Sequence, residues 1–276
     1  MNTRLAQLWA TKTKEDEWWS SFVTSPLAIA LNYLVVDIKW LTPNKITLIS
    51  FITAIVATIF IVLAGSQNFI IAAVLINLSH VFDCMDGQMA RYRCMTSIAG
   101  GYYDKLTDEI QVALWFGAIG YTAFNQNQQL LPLMLAFVGV VAYAFRGYVK
   151  YVSFHTQMSH NNNYLKELEN RESSHEIDIA GLGFSFKANL RWFINEQKKI
   201  IYVNEGVFIF LLSCALVINS FVPDSFTIML WVFAISQVVL AIGRTWHKCH
   251  EISALDQPSI IDTSAQQPRE NETCHR

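Results

Sequence analysis

Apolar stretches long enough to cross a bilayer recur along the chain, separated mostly by short polar links. Six of them, roughly 43–65, 68–92, 98–124, 129–151, 203–222 and 226–246, reach the about 20 largely apolar residues that a membrane-spanning helix needs. Thr42, Pro43 and Asn44 open the first, with threonine suited to cap a helix and proline tolerated at its first position. Ahead of it, Ser21 to Leu41 is apolar but broken by Pro26, Asn32, Asp37 and Lys39. That mixture suits a helix lying in the membrane interface. The pattern therefore predicts an all-α, polytopic integral membrane protein: six transmembrane helices preceded by an amphipathic interfacial helix. Residues 1–41 form an arm and that interfacial helix, and residues 42–246 a six-span membrane domain with one large polar loop, 152–202. Residues 247–276, rich in Ser, Gln, Asp and Pro towards the end, read as a disordered tail.

Composition agrees with the pattern. The chain is 53% hydrophobic and only 15% charged, against about 25% charged in a soluble domain. The net charge of -2 says less than where the charges sit. The links GSQN, NQNQQ and VPDS hold no Lys or Arg, while Lys39, Lys45, Arg91, Arg93, Lys105, Arg146, Lys150, Arg244 and Lys248 share the opposite side. Positive charge collects on the cytoplasmic face, so both termini are expected there. The polar loop contains FSFKANLRWFINEQKK, an aromatic and basic stretch suited to a helix on the membrane surface. The five cysteines show no disulfide or zinc spacing.

Four carboxylates stand out against this background. Asp83, Asp86, Asp104 and Asp108 lie at the ends of two apolar segments, on the side that carries the positive charge. On helices, Asp83, Gly87 and Ala90 share a face with Asp86 beside it, and Gly100, Asp104 and Asp108 make a second stripe. The link from Arg91 to Ser97 would fold the two helices into a hairpin, stripe against stripe. Carboxylates brought that close raise one another's pKa unless counter-charge is supplied. Oxygen ligands of this kind suit a hard divalent cation, or a pair of them. Ordinary exposed helix charges are the competing reading. It fares badly here, because ionisable side chains beside membrane-length apolar runs are costly and usually functional.

Written as D-x2-D-G-x2-A-R-x8-G-x3-D-x3-D, the stretch supplies Asp83, Asp86, Gly87, Ala90, Arg91, Gly100, Asp104 and Asp108 at every fixed position. It resembles the signature of the CDP-alcohol phosphotransferase family, integral membrane enzymes of phospholipid biosynthesis. The resemblance implies transfer of a phosphatidyl or phospho-alcohol group from a CDP-linked donor, CDP-diacylglycerol being the expected one, to an alcohol acceptor with release of CMP. It implies two divalent cations, Mg2+ or Mn2+, held by Asp83, Asp86, Asp104 and Asp108, with Asp108 also the general base. Asn44, Gly87, Ala90, Arg91 and Gly100 would bind the CDP moiety, the glycines and Ala90 because they let a nucleotide approach the backbone. Arg146 is a candidate for holding an acceptor that carries a phosphate. A homodimer in the membrane is implied too, with the active site on the cytoplasmic side and no nucleic-acid partner. The alternative from another class is an ion-coupled transporter using intramembrane aspartates. Such a protein usually shows inverted repeats and acids near the midplane, and the sequence has neither.

Overall fold

The computed structural model describes residues 3–12, 18–161, 163–166, 185–196, 205–222 and 224–255. Among them the regular structure is all helical. A short arm helix, α1 (Thr3–Ala10), precedes a single π-helical turn (Ser20–Thr24) that runs into α2 (Ser25–Val35). The long helices follow: α3 (Pro43–Leu63), α4 (Ser66–Tyr92), α5 (Ile98–Asn127) and α6 (Leu131–His160). A surface helix, α7 (Phe186–Glu196), then leads to α8 (Glu205–Asn219) and α9 (Ser225–Leu255). Helices thus stand at all six expected places. By length and composition four of them, α3, α4, α6 and α9, are apolar enough to cross a membrane. Helix α5 is diluted by the charges of its first turns, and α8 is short.

Two boundaries differ from the expectation. The large loop does not begin at residue 152, because α6 continues to His160, and the tail does not begin at residue 247, because α9 continues to Leu255. The two extensions support each other. Gln157 donates to Glu251 Oε1 at 3.2 Å, and Lys248 donates to Glu251 Oε2 at 2.6 Å. Neither segment is apolar, so hydropathy alone truncated both helices. The tail expected from residue 256 onward lies outside the described residues.

Helix α4 is central, packing against α3, α2 and α8, while α6 pairs with α9 and α5 lies against α3 and α6. Lipid gives no hydrophobic drive to bring helices together, so close packing of small residues and hydrogen bonds must do so. Ala54, Ala57, Ala72 and Ala73 accordingly sit in the core beside Trp115, Phe116 and Ile119. A side chain at Gly120 would bring its Cβ within 2.6 Å of that of Ala136. Side chains also bond to neighbouring backbones: Trp115 Nε1 to the Ala54 carbonyl, Thr122 to that of Ile61, and Ser50 to that of Ser79. Each removes a buried donor from hydrocarbon.

The α4–α5 hairpin owes its turn to local chemistry. Met95 N–H returns to the Ala90 carbonyl at 2.8 Å and Cys94 N–H to that of Arg91 at 3.3 Å, with Cys94 at φ 53°. This is a Schellman ending, which normally places glycine at the left-handed position. Ser97 then caps α5 by accepting from Gly100 N–H at 3.0 Å. Cys94→Gly should stabilise the protein by about 1 kcal/mol, since a side chain in that conformation costs about that much. A thermal midpoint in detergent that fails to rise would contradict this account of the turn.

Helix α2 is fastened to α4 rather than left on the surface alone. Asn32 donates to the Met85 carbonyl at 2.9 Å, and Arg93 donates to the carbonyls of Val36, Ile38 and Leu41. The outer side of the segment still exposes Leu27, Leu34 and Trp40, as an interfacial helix should. Helix α7 docks beside it through edge-to-face contacts of Phe193 with Trp18 and of Trp192 with Phe22.

Candidate active site

The last turns of α4 and the first turns of α5 carry the aspartates. One carboxylate oxygen from each of Asp83, Asp104 and Asp108 lies within 4.8 Å of the other two. Lys105, itself largely exposed, reaches back to Asp104 and Asp108 at 3.3 Å each and supplies part of the counter-charge. Asp86 is the exception to a four-way convergence. It is buried and accepts a hydrogen bond from the Thr47 hydroxyl of α3.

The three converging oxygens suit a divalent ion. Ligands on opposite sides of one octahedral Mg2+ lie about 4.2 Å apart, twice the bond length of about 2.1 Å. Oxygens within 4.8 Å of one another are thus on the scale of one ion, or of two ions sharing the carboxylates. Hard, all-oxygen donors suit a hard divalent cation rather than a thiolate- or imidazole-preferring metal.

Two cavities meet at this cluster, sharing Asp83 and His80 as lining residues. The smaller, about 400 Å³, is walled by α3, α4 and the start of α5. Asn44, Gly87, Ala90, Arg91 and Gly100 all line it, together with Asp86 and Asp104. Its walls are thin where glycine stands. A Cβ on Gly100 would meet Ser97 Oγ at 3.0 Å and Asn44 Oδ1 at 3.1 Å, and one on Gly87 would meet Arg91 Nη1 at 3.3 Å. Pro43, Asn44 and Thr47 bring the amino end of α3 to the same wall, where the helix dipole favours an anion.

The larger cavity, about 840 Å³, takes Asp83 and Asp108 on one side and a basic wall on the other. Arg146 of α6 belongs to that wall, and α9 adds Arg244, His247 and Lys248. Arg244 Nη1 donates to the Arg146 carbonyl at 3.2 Å, and the Arg146 guanidinium lies 5.2 Å from the centre of the Tyr143 ring. Below the aspartates the floor is polar, with His80 and Gln111, before the cavity becomes apolar at Trp115, Phe208 and Ile209.

Residues 40–169 match the family model described as CDP-alcohol phosphatidyltransferase. Those residues belong to that family. The matched span begins just before α3 and ends past α6, so it holds every motif residue and Arg146. A bifunctional IPC transferase and DIPP synthase from Thermococcus kodakarensis is 26% identical over 136 residues, 49% of this chain and 30% of that protein. The chain thus spans under a third of that relative's length. Among solved structures, the fold is similar to phosphatidylinositol phosphate synthase PgsA1 of Mycobacterium tuberculosis. The crystal structure with CDP-DAG bound superposes with a TM-score of 0.53, at 16% identity, over 88% of this chain and 99% of that one. The complex with manganese and citrate gives 0.55 at 17% identity, over 90% and 98%. At such identity the likeness is one of fold.

Every motif residue except Asp108 lines the smaller cavity. Sequence reasoning gave no site role to Thr47, His80, Gln111, Arg244, His247 or Lys248. His80 had one legible signal, a lone ionisable side chain one helical turn before Asp83 in an apolar run. Arg244 and Lys248 looked like topology charges, and only the pairing of α9 with α6 turns them into a cavity wall. Arg93, another of the positive charges on that side, is engaged by three backbone carbonyls.

Proposed function

We propose that this chain transfers a phosphatidyl group from CDP-diacylglycerol to the hydroxyl of an alcohol acceptor that also carries an anionic group, releasing CMP. The observation that carries the reading is the pair of cavities joined at the aspartate cluster: one lined by the motif, the other walled by Arg146, Arg244 and Lys248. An acidic site can receive a diphosphate only through intervening cations. Divalent ions held by Asp83, Asp104 and Asp108, with Asp86 as a further ligand, would neutralise the phosphate oxygens and stabilise the attacking and leaving oxygens of an in-line displacement.

The remaining work falls to the chain's own residues. Asn44, Gly87, Ala90 and Gly100 admit the nucleotide against the backbone, and Arg91 offers the planar set of donors suited to a phosphate. Asp108, which lines the acceptor cavity, takes the proton of the acceptor hydroxyl as its oxygen bonds to phosphorus. The phosphorus–oxygen bond to CMP breaks on the opposite side. Arg146 and Arg244 hold the acceptor's anionic group and so aim its hydroxyl at the cluster. By the distribution of Lys and Arg the site and both termini face the cytoplasm, and a homodimer in the membrane completes the reading.

Purified protein supplied with CDP-diacylglycerol, Mn2+ or Mg2+ and a panel of alcohols should release CMP, most rapidly with phosphorylated polyols. Release with neutral alcohols alone would remove the anionic acceptor. Release with none of them, under either metal, would remove the enzyme reading. Arg244→Ala should raise the acceptor KM about tenfold to a hundredfold, the effect of losing a charge-assisted hydrogen bond of about 1.5–3 kcal/mol. The donor KM should hold.

A further inference from the structure

The arm ahead of the membrane domain meets a residue that lines the nucleotide cavity. Arg91 Nε donates to the Thr11 carbonyl, just past the end of α1, at 2.7 Å. The other end of the same guanidinium stands over Gly87, on the cavity side. A guanidinium is planar, so fixing one N–H direction fixes the directions of the others. The backbone of the arm therefore sets the orientation in which Arg91 faces the cavity.

The arm is itself held to the body. Leu8 is fully buried, and Lys12, also buried, donates to Ser21 Oγ at 3.1 Å. Arg4 pairs with Asp37 at 2.7 Å and lies 5.0 Å from the centre of the Tyr33 ring. The ion pair is exposed on the Asp37 side, and exposed pairs contribute little, so the buried leucine is the main fastening. None of Leu8, Lys12 and Thr11 belongs to the motif or to the matched span 40–169.

We propose that the segment 3–12 is a positioning element for the nucleotide. Docked through Leu8, it presents the Thr11 carbonyl to Arg91 and holds the guanidinium ready for a nucleoside diphosphate. The inference rests on reading the smaller cavity as the CDP site. Detaching the arm leaves the aspartates untouched and lets Arg91 sample orientations that miss the phosphates.

The test measures binding of CDP with Mn2+ to the full chain in detergent, alongside Mn2+ binding followed by its spin resonance. Leu8→Asp should weaken CDP about tenfold, a loss of about 1.4 kcal/mol, leave Mn2+ affinity unchanged, and raise the donor KM while kcat holds. A purely structural role would move kcat, Mn2+ affinity and the thermal midpoint together. The combined Leu8→Asp and Arg91→Ala variant should bind CDP no more weakly than Arg91→Ala alone, since both changes act through one group. Full additivity, or wild-type CDP affinity in Leu8→Asp, overturns the proposal while leaving the nucleotide cavity intact. If Leu8→Asp loses Mn2+ binding as well, the milder Leu8→Ala decides: it must weaken CDP selectively, and an unchanged affinity overturns the arm's role. Failure of the wild-type chain to bind CDP overturns the cavity reading and the arm proposal with it.

Discussion

Asp108→Asn is expected to lower the rate of CMP release by about 10²–10⁴-fold, the range over which a positioned general base acts. The substitution keeps the size of the side chain and its place on α5, so the helix and the cavity should persist. It removes the ability to take a proton, and one negative charge beside Asp83 and Asp104. Separating the two losses requires two measurements. If proton transfer dominates, the donor KM stays near its wild-type value while kcat falls, and added Mn2+ does not restore the rate. If ligation dominates, high Mn2+ rescues part of the activity. A variant with wild-type turnover would strip Asp108 of both roles and move the base elsewhere among the polar groups of the larger cavity, with His80 the first to examine.

Loss of Asp83 should be comparably damaging for a different reason. Its carboxylate lines both cavities and belongs to the converging oxygen set, so it stands where the two cavities meet. Asp83→Ala should weaken Mn2+ binding and reduce turnover about 10²–10³-fold, as expected when several kcal/mol of transition-state charge stabilisation goes. Asp86→Ala should have a milder effect on metal affinity, because the Asp86 carboxylate is engaged by the Thr47 hydroxyl. Metal titrations in which Asp83→Ala equals wild type would contradict the ligand assignment, and an Asp86→Ala loss as large as that of Asp83→Ala would restore a four-ligand cluster.

The contrast between Asp83 and Asp86 shows where sequence spacing is a good guide. Three residues apart on one helix, both were expected to face the second stripe, and helical periodicity does bring both to the same region. It cannot tell which neighbour each carboxylate meets. Thr47, 39 positions away from Asp86 in sequence, draws that carboxylate towards α3. The hairpin itself was readable, because its turn depends on local contacts: the Schellman hydrogen bonds around Cys94 and the Ser97 cap all lie within a few residues. The arm was not. A polar, mixed-charge opening segment gives no hint that Leu8 finds a pocket or that Thr11 meets Arg91, 80 residues away in sequence.

By itself, then, the sequence determined what periodicity and composition encode: the positions of the helices, the membrane class, and the spacing of the aspartates and glycines along two helix faces. These depend on neighbours three or four residues apart, and on a solvent that demands internally satisfied backbone. Tertiary structure alone decided that Arg146 and Arg244 share one wall, that two cavities meet at Asp83 and His80, and that the arm reaches Arg91. Those facts follow from which helices pack together, and close packing depends on the fit of side chains far apart in the chain, a property that no local pattern carries.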